Sequence, residues 1–278
     1  MVFRKLFLVL ACLWLSAVLL VSASAQASIS IISPDNRAIF QQVNGSADIA
    51  VSVTATGVPS GGSVLLILDA DTAEQSSLKL TSTPYTCTFP AVSLGEHTLD
   101  AYVVDSVGVR TPAHDSRSRI GVGEIIVCMG DSITEGEVDD ISSDNWSADG
   151  RNGPYIDAYS GAQYGGFEPI LNDMLTQTRG YPHSVVNVGH YGDQATDGIA
   201  KVGGFIAQYP TAKTWLIAYG ANDASHGVSA SHYKSNVQQI IKTIQTAIPG
   251  AEIYLPHMFY KEFSVYSAYH DRLGDLIR

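Results

Sequence analysis

The sequence predicts two parts, an all-β module followed by an α/β domain with a parallel sheet. Between residues 29 and 109, short strand-like runs are separated by turns that contain glycine and proline. From about residue 120, strand-like runs alternate with helix-length amphipathic segments. The chain has 278 residues, 45% hydrophobic and 15% charged, which permits a sizeable core and argues against general disorder.

The charge balance excludes two classes of partner. Sixteen lysine and arginine residues oppose 27 aspartate and glutamate residues, which gives a net charge of −11. Binding to nucleic acid phosphates needs the opposite sign, and an anionic membrane surface does not attract an acidic chain. We therefore expect neither nucleic acid nor a membrane surface as a partner.

The N-terminus, residues 1–27, is predicted to be a signal peptide. Arg4 and Lys5 precede an almost wholly apolar run over residues 6–21, and small residues follow at 22–27. A membrane anchor is the alternative, but about 16 apolar residues are few for a spanning helix. We expect a mature chain without a transmembrane segment that is secreted, periplasmic or at the cell surface.

The cysteines predict neither a disulfide scaffold nor a metal site. Cys12 lies in the leader, so only Cys87 and Cys128 remain in the mature chain, and their spacing leaves a bridge between them open. Cys128 ends an apolar run, which is typical of a buried thiol. Cysteine and histidine show no metal-ligand spacing, so we expect no metal and no cofactor.

The first part, residues 28–119, is predicted to be a β-sandwich. Asp48–Thr56 and His97–Val104 alternate polar and apolar residues, Val64–Leu68 is wholly apolar, and no helical period intervenes. The polar stretch Thr111–Arg119 is interpreted as a linker or as the final edge of the module. A spacer role is favoured for this module, and carbohydrate binding is the alternative.

The second part, residues 120–278, is predicted to contain βαβ units and a parallel sheet. Its elements in chain order are a strand at Ile125–Met129, a helix at Glu168–Thr178, strands at Ser184–Val188 and Thr214–Tyr219, a helix at Ala230–Ala247 and a strand at Glu252–Leu255. The apolar residues of the last helix recur at helical spacing on one face.

Three polar motifs follow three of these strands. Gly130-Asp-Ser-Ile-Thr134 follows the first strand, Asn187-Val-Gly189 closes the second, and Gly220-Ala-Asn-Asp223 follows the third. Ligand sites of open α/β sheets lie beyond the carboxyl ends of the strands. If the first strand lies between the other two, its neighbours are about 4.8 Å away, and a serine would meet glycine and asparagine amides. That set is a nucleophile with oxyanion donors.

In this order the three motifs resemble the first three blocks of the SGNH (GDSL) hydrolases, from about Gly123 to the last residue. The resemblance implies a flavodoxin-like three-layer fold and metal-independent ester hydrolysis. It also implies Ser132 as nucleophile, with an oxyanion hole from the Ser132 and Gly189 backbone amides and the Asn222 side chain. The stretch Leu94–Asp105 resembles the last hairpin of bacterial immunoglobulin-like modules.

Each motif residue also has a purely structural interpretation. Ser132 is a possible helix N-cap, and Gly189 and Asn222 are possible turn residues. Asp131 is interpreted as a brace of the turn. Asp223-Ala-Ser-His226 has the spacing of the family's Asp-x-x-His acid–base motif, but it overlaps the oxyanion block and is interpreted as a polar loop.

The polar insert between residues 135 and 167 carries four aromatic residues, Trp146, Tyr155, Tyr159 and Tyr164. It is interpreted as a wall of the cleft that suits sugar rings, as a loop that packs its own aromatics, or as a calcium loop without proper ligand spacing. The expected function is hydrolysis of acetyl or other acyl esters on extracellular polysaccharide by a secreted enzyme. The alternatives are a lipid-directed esterase or lysophospholipase, and a non-catalytic surface binding protein.

The family's acid–base pair is not found in the sequence. In the resembled family, Asp-x-x-His follows a fifth strand, whereas here the fourth strand leads into a loop and residues 266–278 read as a helix. His257 and His270 are the only late histidines, and neither follows an aspartate at that spacing. We therefore expect a C-terminally truncated hydrolase that has the nucleophile and the oxyanion hole but no base.

Overall fold

The computed structural model describes residues 26–137, 146–153, 155–156 and 163–256. The predicted signal peptide therefore lies almost wholly outside the described residues. No helix among the described residues is long and apolar enough to cross a membrane.

The first part consists of two packed β-sheets. Its strands are β1 (Ser28–Ser33), β2 (Ile39–Gln41), β3 (Ser46–Thr56), β4 (Ser63–Leu68), β5 (Ser76–Leu80), β6 (Tyr85–Ser93) and β7 (Gly95–Val104), with the start of β8 (Arg110–Gly130). One sheet has the order β1-β3-β6, and the other joins β5, β4, β7 and β8, with β2 beside β8. Alternate residues of both sheets, among them Ile49, Leu66 and Leu99, are buried in a common core.

Strand β8 continues from the sandwich into the second part. It pairs antiparallel with β7 as far as Val122 and parallel with β11 (His183–Asn187) from Glu124 onward. The stretch Thr111–Arg119 is therefore part of a strand, which agrees with its interpretation as the final edge of the module and not with a linker. Ile120 and Val122, which follow it, still belong to the core of the sandwich. A Cβ at Gly123 would lie 1.7 Å from the Pro182 carbonyl oxygen, so only glycine fits where the strand changes partners.

The second part is an α/β domain, as predicted. Beside β8 and β11 it contains α1 (Ser132–Glu135), β9 (Tyr155–Ile156), β10 (Gln163–Tyr164), α2 (Glu168–Arg179), α3 (Ala195–Gln208), β12 (Thr214–Ala218), α4 (Ala221–Ser225), α5 (Ala230–Ala247) and β13 (Glu252–Tyr254). The parallel sheet has the order β11-β8-β12-β13, so the first strand does lie between the second and the third.

Helices cover both faces of this sheet. Leu171 and Leu175 of α2 pack against Ile126 and Cys128 on one face. Residues of α3 and α5 pack on the other face around the fully buried Trp215. The sequence analysis did not name α3, whose three glycines weaken the helical signal. A capping box of Gln194 and Asp197 marks its start.

Cys87 and Cys128 are free thiols. Cys87 is half-buried on β6, whereas Cys128 is buried in β8, where burial raises the pKa of its thiol well above the ordinary value. The interpretation of Cys128 as a buried thiol is confirmed, and no bridge joins it to Cys87.

Residues 146–153 tie the insert to both parts of the chain. Arg151, whose side chain is 2% exposed, donates to Glu96 (2.9 Å), to Asp149 (2.6 Å) and to the carbonyl of Arg119 (2.6 Å). The Asn152 side chain pairs with the backbone N–H and C=O of Val185, which covers the edge of β11. We call these contacts of Arg151 the clasp.

Replacing Arg151 by alanine is expected to lower the free energy of unfolding by about 3 kcal/mol, because it leaves the half-buried Asp149 carboxylate without its cation. Urea titration followed by circular dichroism measures this loss. The matched variant Glu96→Gln should cost less than about 1 kcal/mol, since that carboxylate is 42% exposed. Equal stability of Arg151→Ala and the wild type would show that the clasp contributes nothing.

Candidate active site

Ser132 stands at the first position of α1, directly beyond β8. The helix is capped by Asp131, whose Oδ1 accepts the Ile133 N–H at 3.0 Å, so Ser132 is not the N-cap. Asp131 is fully buried, and this burial raises its pKa to about 6. Its expected role as a brace agrees with these contacts. The half-buried Ser132 hydroxyl has no hydrogen-bond partner among the described residues.

The chain between β11 and α3 crosses the tip of β8. We call residues 189–194 the crossover loop. At its start the His190 N–H donates to the Gly130 carbonyl at 3.1 Å. At its end the Asp193 carbonyl accepts Asn222 Nδ2 at 3.0 Å. Because β11 and β12 flank β8 on opposite sides, these two contacts carry the loop across the strand end that precedes Ser132.

Gly189 lies against α1 and does not have a free N–H. A Cβ on it would lie 2.5 Å from the Glu135 nitrogen, which explains why glycine is needed. Its N–H donates to Asn187 Oδ1 at 2.9 Å, so the proton that the sequence analysis assigned to the oxyanion hole is already engaged. The close approach of Gly189 to α1 allows the crossover loop to pack against that helix.

Gly192 presents a backbone N–H at the turn of the crossover loop. The Asp193 N–H bonds the His190 carbonyl, which closes a four-residue turn with Gly192 at its third position and φ of 77°. The Gly192 N–H belongs to the central peptide of that turn, and it has no acceptor among the described residues. The sequence signal that could have indicated Gly192 as a donor is that it is a second glycine, three residues after Gly189.

Asn222 lies in α4, which follows β12, the strand that pairs with β8 on the side opposite β11. Ala218 of β12 is opposite Gly130, so both motifs leave the sheet at the same level. Asn222 Nδ2 carries two protons, and the bond to Asp193 uses one. The second proton has no acceptor among the described residues.

The expectation that Asp223-Ala-Ser-His226 is a polar loop needs correction. Asp223 is fully buried, and its carboxylate accepts the Ala195 N–H at 3.0 Å, which fixes the start of α3. The His226 ring contacts the Asn222 carbonyl and the Ser225 hydroxyl. The Asp223 and His226 side chains therefore do not hydrogen-bond each other as an acid–base pair would.

No described histidine hydrogen-bonds Ser132. One histidine that the sequence analysis missed lies in the crossover loop, where His190 Nδ1 is 3.1 Å from Asp193 Oδ1. Sequence spacing could have indicated this pair, since the two residues are three positions apart within a polar loop. His257 and His270, considered above as late histidines, lie outside the described residues.

Behind α1 a buried carboxyl group supports the loop after β11. Asn187 Nδ2 donates to the Thr134 carbonyl at 2.7 Å and to Glu168 Oε2 at 3.1 Å. Glu168 is 2% exposed, and its burial raises its pKa to about 8. The carboxyl is therefore mostly protonated at neutral pH, and a neutral network holds Asn187 beneath the nucleophile helix.

This raised pKa predicts a pH dependence of stability. Between pH 4.5 and 8 the unfolded chain has released the Glu168 proton while the folded chain keeps it, so stability falls as pH rises through this window. Glu168→Gln, which keeps a neutral side chain of the same shape, should remove this slope, worth on the order of a few kcal/mol. Unfolding titrations at pH 5 and pH 8.5 measure both proteins. Equal dependence of stability on pH in the wild type and in Glu168→Gln would contradict the raised pKa of Glu168. Asp131, whose pKa is also raised, contributes equally to both proteins.

The remaining site expectations concern the insert and metals. Trp146 is 58% exposed and its ring lies against Gly153, while the side chains of Tyr155, Tyr159 and Tyr164 lie outside the described residues. In the described ranges, no group of three or more histidine, cysteine, aspartate or glutamate side chains could hold a metal ion.

The parallel sheet and the motifs at its neighbouring strand ends define an α/β hydrolase-like domain. The GDSL-like lipase/acylhydrolase family matches residues 128–278, just over half of the chain. The chain belongs to this family, and it is a carboxylic ester hydrolase of the GDSL/SGNH type. No curated protein gave a significant match.

Solved structures show similar domains at low identity. A carbohydrate acetylesterase from Xanthomonas citri is 12% identical, with 87% of this chain and 65% of that chain covered and a TM-score of 0.48. A mutant of the esterase AlinE4 is 18% identical over 55% of this chain and 68% of its own, with a TM-score of 0.40. An acetyl xylan esterase from Geobacillus stearothermophilus is 22% identical over 56% and 70%, with a TM-score of 0.42.

Proposed function

We propose that this chain is an exported serine esterase in which Ser132 is the nucleophile and the N–H groups of Ser132 and Gly192 and the Asn222 side chain are the oxyanion donors. The crossover loop carries the proposal, because it brings a free backbone donor and the partner of Asn222 across the tip of β8. Gly192 takes the role that Gly189 was expected to have, since the Gly189 N–H is bonded to Asn187.

In this proposal Ser132 Oγ attacks the ester carbonyl carbon, and the carbonyl oxygen becomes negatively charged. Fixed N–H donors stabilise that charge in the transition state more than in the ground state. Collapse of the tetrahedral intermediate breaks the bond to the alcohol, and water then hydrolyses the acyl-enzyme. A base must accept the serine proton. We assign no base among the described residues.

The proposed substrates are acetyl or other short acyl esters on extracellular polysaccharide. The predicted signal peptide and the additional β-module support this choice. A lipid-directed esterase would need an apolar groove at Ser132. An apolar cavity of about 360 Å³ lies between α2 and the sheet, where Leu171, Leu216 and Tyr254 line it, and none of its lining residues belongs to the candidate site.

We also propose that the N-terminal β-module is immunoglobulin-like, and that the second domain is flavodoxin-like. A spacer role for the module agrees with its position. About ten residues of chain separate Val122, where the sandwich ends, from Ser132, which at about 3.3 Å per residue is about 33 Å. The module thus lies at the end of the sheet opposite the nucleophile and does not line the site.

The substrate class is tested by assaying the purified protein on three esters. These are acetylated xylan, 4-nitrophenyl acetate and 4-nitrophenyl palmitate. We expect release of acetate from the glycan and faster turnover of the acetyl ester than of the palmitoyl ester. Preference for palmitate would favour the lipid-directed alternative. Binding to the glycan without turnover of any ester would favour the non-catalytic alternative.

A further inference from the structure

Asp193 contacts both proposed oxyanion donors through its backbone. Its N–H closes the turn that presents Gly192, and its carbonyl accepts Asn222 Nδ2. A displacement of Asp193 would therefore move the Gly192 N–H and release the Asn222 amide together. Neither donor group has another hydrogen bond of this kind within the described part of the chain.

The side chain of Asp193 is itself held from two directions. Oδ2 accepts Lys201 Nζ at 2.6 Å, and Oδ1 is 3.1 Å from His190 Nδ1. Lys201 lies near the middle of α3, a 14-residue helix packed on the sheet, so its backbone is held in place. The Asp193 side chain is only 8% exposed, whereas Lys201 is 34% exposed and His190 45% exposed.

These exposures distinguish this contact from an ordinary surface pair. Buried carboxylates are rarely found without a cation or hydrogen-bond donors against them. Lys201 supplies the opposite charge from a packed helix. The turn from His190 to Asp193 holds the Asp193 carboxylate within reach of it. The pair is therefore able to fix the exposed part of the crossover loop, Tyr191 and Gly192, which lies between the buried Gly189 and Asp193.

We propose that Lys201 and Asp193 are positioning residues for the oxyanion hole: the ion pair anchors the turn that presents Gly192 and orients the Asn222 amide. This inference rests on the proposed function of Ser132, Gly192 and Asn222. Neither residue of the pair touches the substrate in this proposal, so its loss affects transition-state stabilisation and leaves substrate binding nearly unchanged.

The test compares Lys201→Met and Lys201→Arg in the full chain, with Lys242→Met on the exposed face of α5 as control. For a short acyl ester, Lys201→Met should lower kcat about tenfold with KM within about twofold, which is a loss of about 1.4 kcal/mol. Lys201→Arg should recover most of the activity, since it restores the cation. Asp193→Asn, which keeps the backbone carbonyl, should match Lys201→Met.

A second readout does not depend on turnover. The side-chain amide signals of Asn222, assigned by their loss in Asn222→Asp, should shift and broaden in Lys201→Met and stay in place in Lys242→Met. Unchanged kcat and unchanged Asn222 signals in Lys201→Met would overturn the inference. Labelling of Ser132 by a fluorophosphonate in the wild type separates the two proposals, because its absence would overturn the proposed function instead.

Discussion

Replacing Ser132 by alanine is expected to lower kcat for acyl esters at least about a thousandfold. The hydroxyl is the group that forms the acyl-enzyme, and removing a nucleophile leaves only the smaller contribution of binding and oxyanion stabilisation. Turnover of 4-nitrophenyl acetate measures the loss. The fold should be unaffected, because the half-buried hydroxyl makes no hydrogen bond among the described residues and Asp131 caps the helix.

Ser235→Ala is the matched control, since this serine is exposed on α5 and lies outside the site. It should retain wild-type turnover. Residual activity of Ser132→Ala within about tenfold of the wild type would mean that another group attacks the ester. A large loss in Ser235→Ala would mean that the assay reports folding instead of chemistry.

Asn222→Ala is expected to lower kcat by about 100- to 1000-fold, with KM changed by less than about threefold. Removing one oxyanion donor costs about 3–4 kcal/mol of transition-state stabilisation in comparable sites. The effect falls on kcat because the charge on the carbonyl oxygen develops only in the transition state. Steady-state kinetics on a short acyl ester separate the two constants.

The control is Gln238→Ala, which removes an exposed amide from α5. Thermal unfolding of both variants checks that the bond to the Asp193 carbonyl is not needed for folding. A rise in KM at unchanged kcat would place Asn222 in ground-state binding. An unchanged kcat/KM would remove Asn222 from the site.

The sequence predicted which strands end at the site, because buried parallel strands are nearly continuous apolar runs and polar motifs mark their ends. Ile125–Met129 and the runs that align with β11 and β12 are of this kind. The sequence left the order of these strands as a condition, which the observed order β11-β8-β12 meets. The helix predicted from about Ala230 to Ala247 coincides with α5, since its apolar face recurs at helical spacing. Periodicity is informative where one face of an element is buried.

The parts that the sequence did not predict depend on contacts between distant residues. Whether Gly189 or Gly192 has a free N–H depends on the Asn187 side chain and on the turn at Asp193. The burial of Asp223 depends on the start of α3, and the strand at Thr111–Arg119 is polar because one face of it is exposed. Local polarity alone does not distinguish these cases from loops.

The central claim is that Ser132 is the nucleophile, and covalent labelling tests it most directly. The wild-type protein is incubated with a fluorophosphonate, digested and analysed by mass spectrometry. We predict one modified peptide with the phosphonyl group on Ser132, and no labelling of Ser132→Ala. Labelling at another serine, or equal labelling of both proteins, would contradict the account.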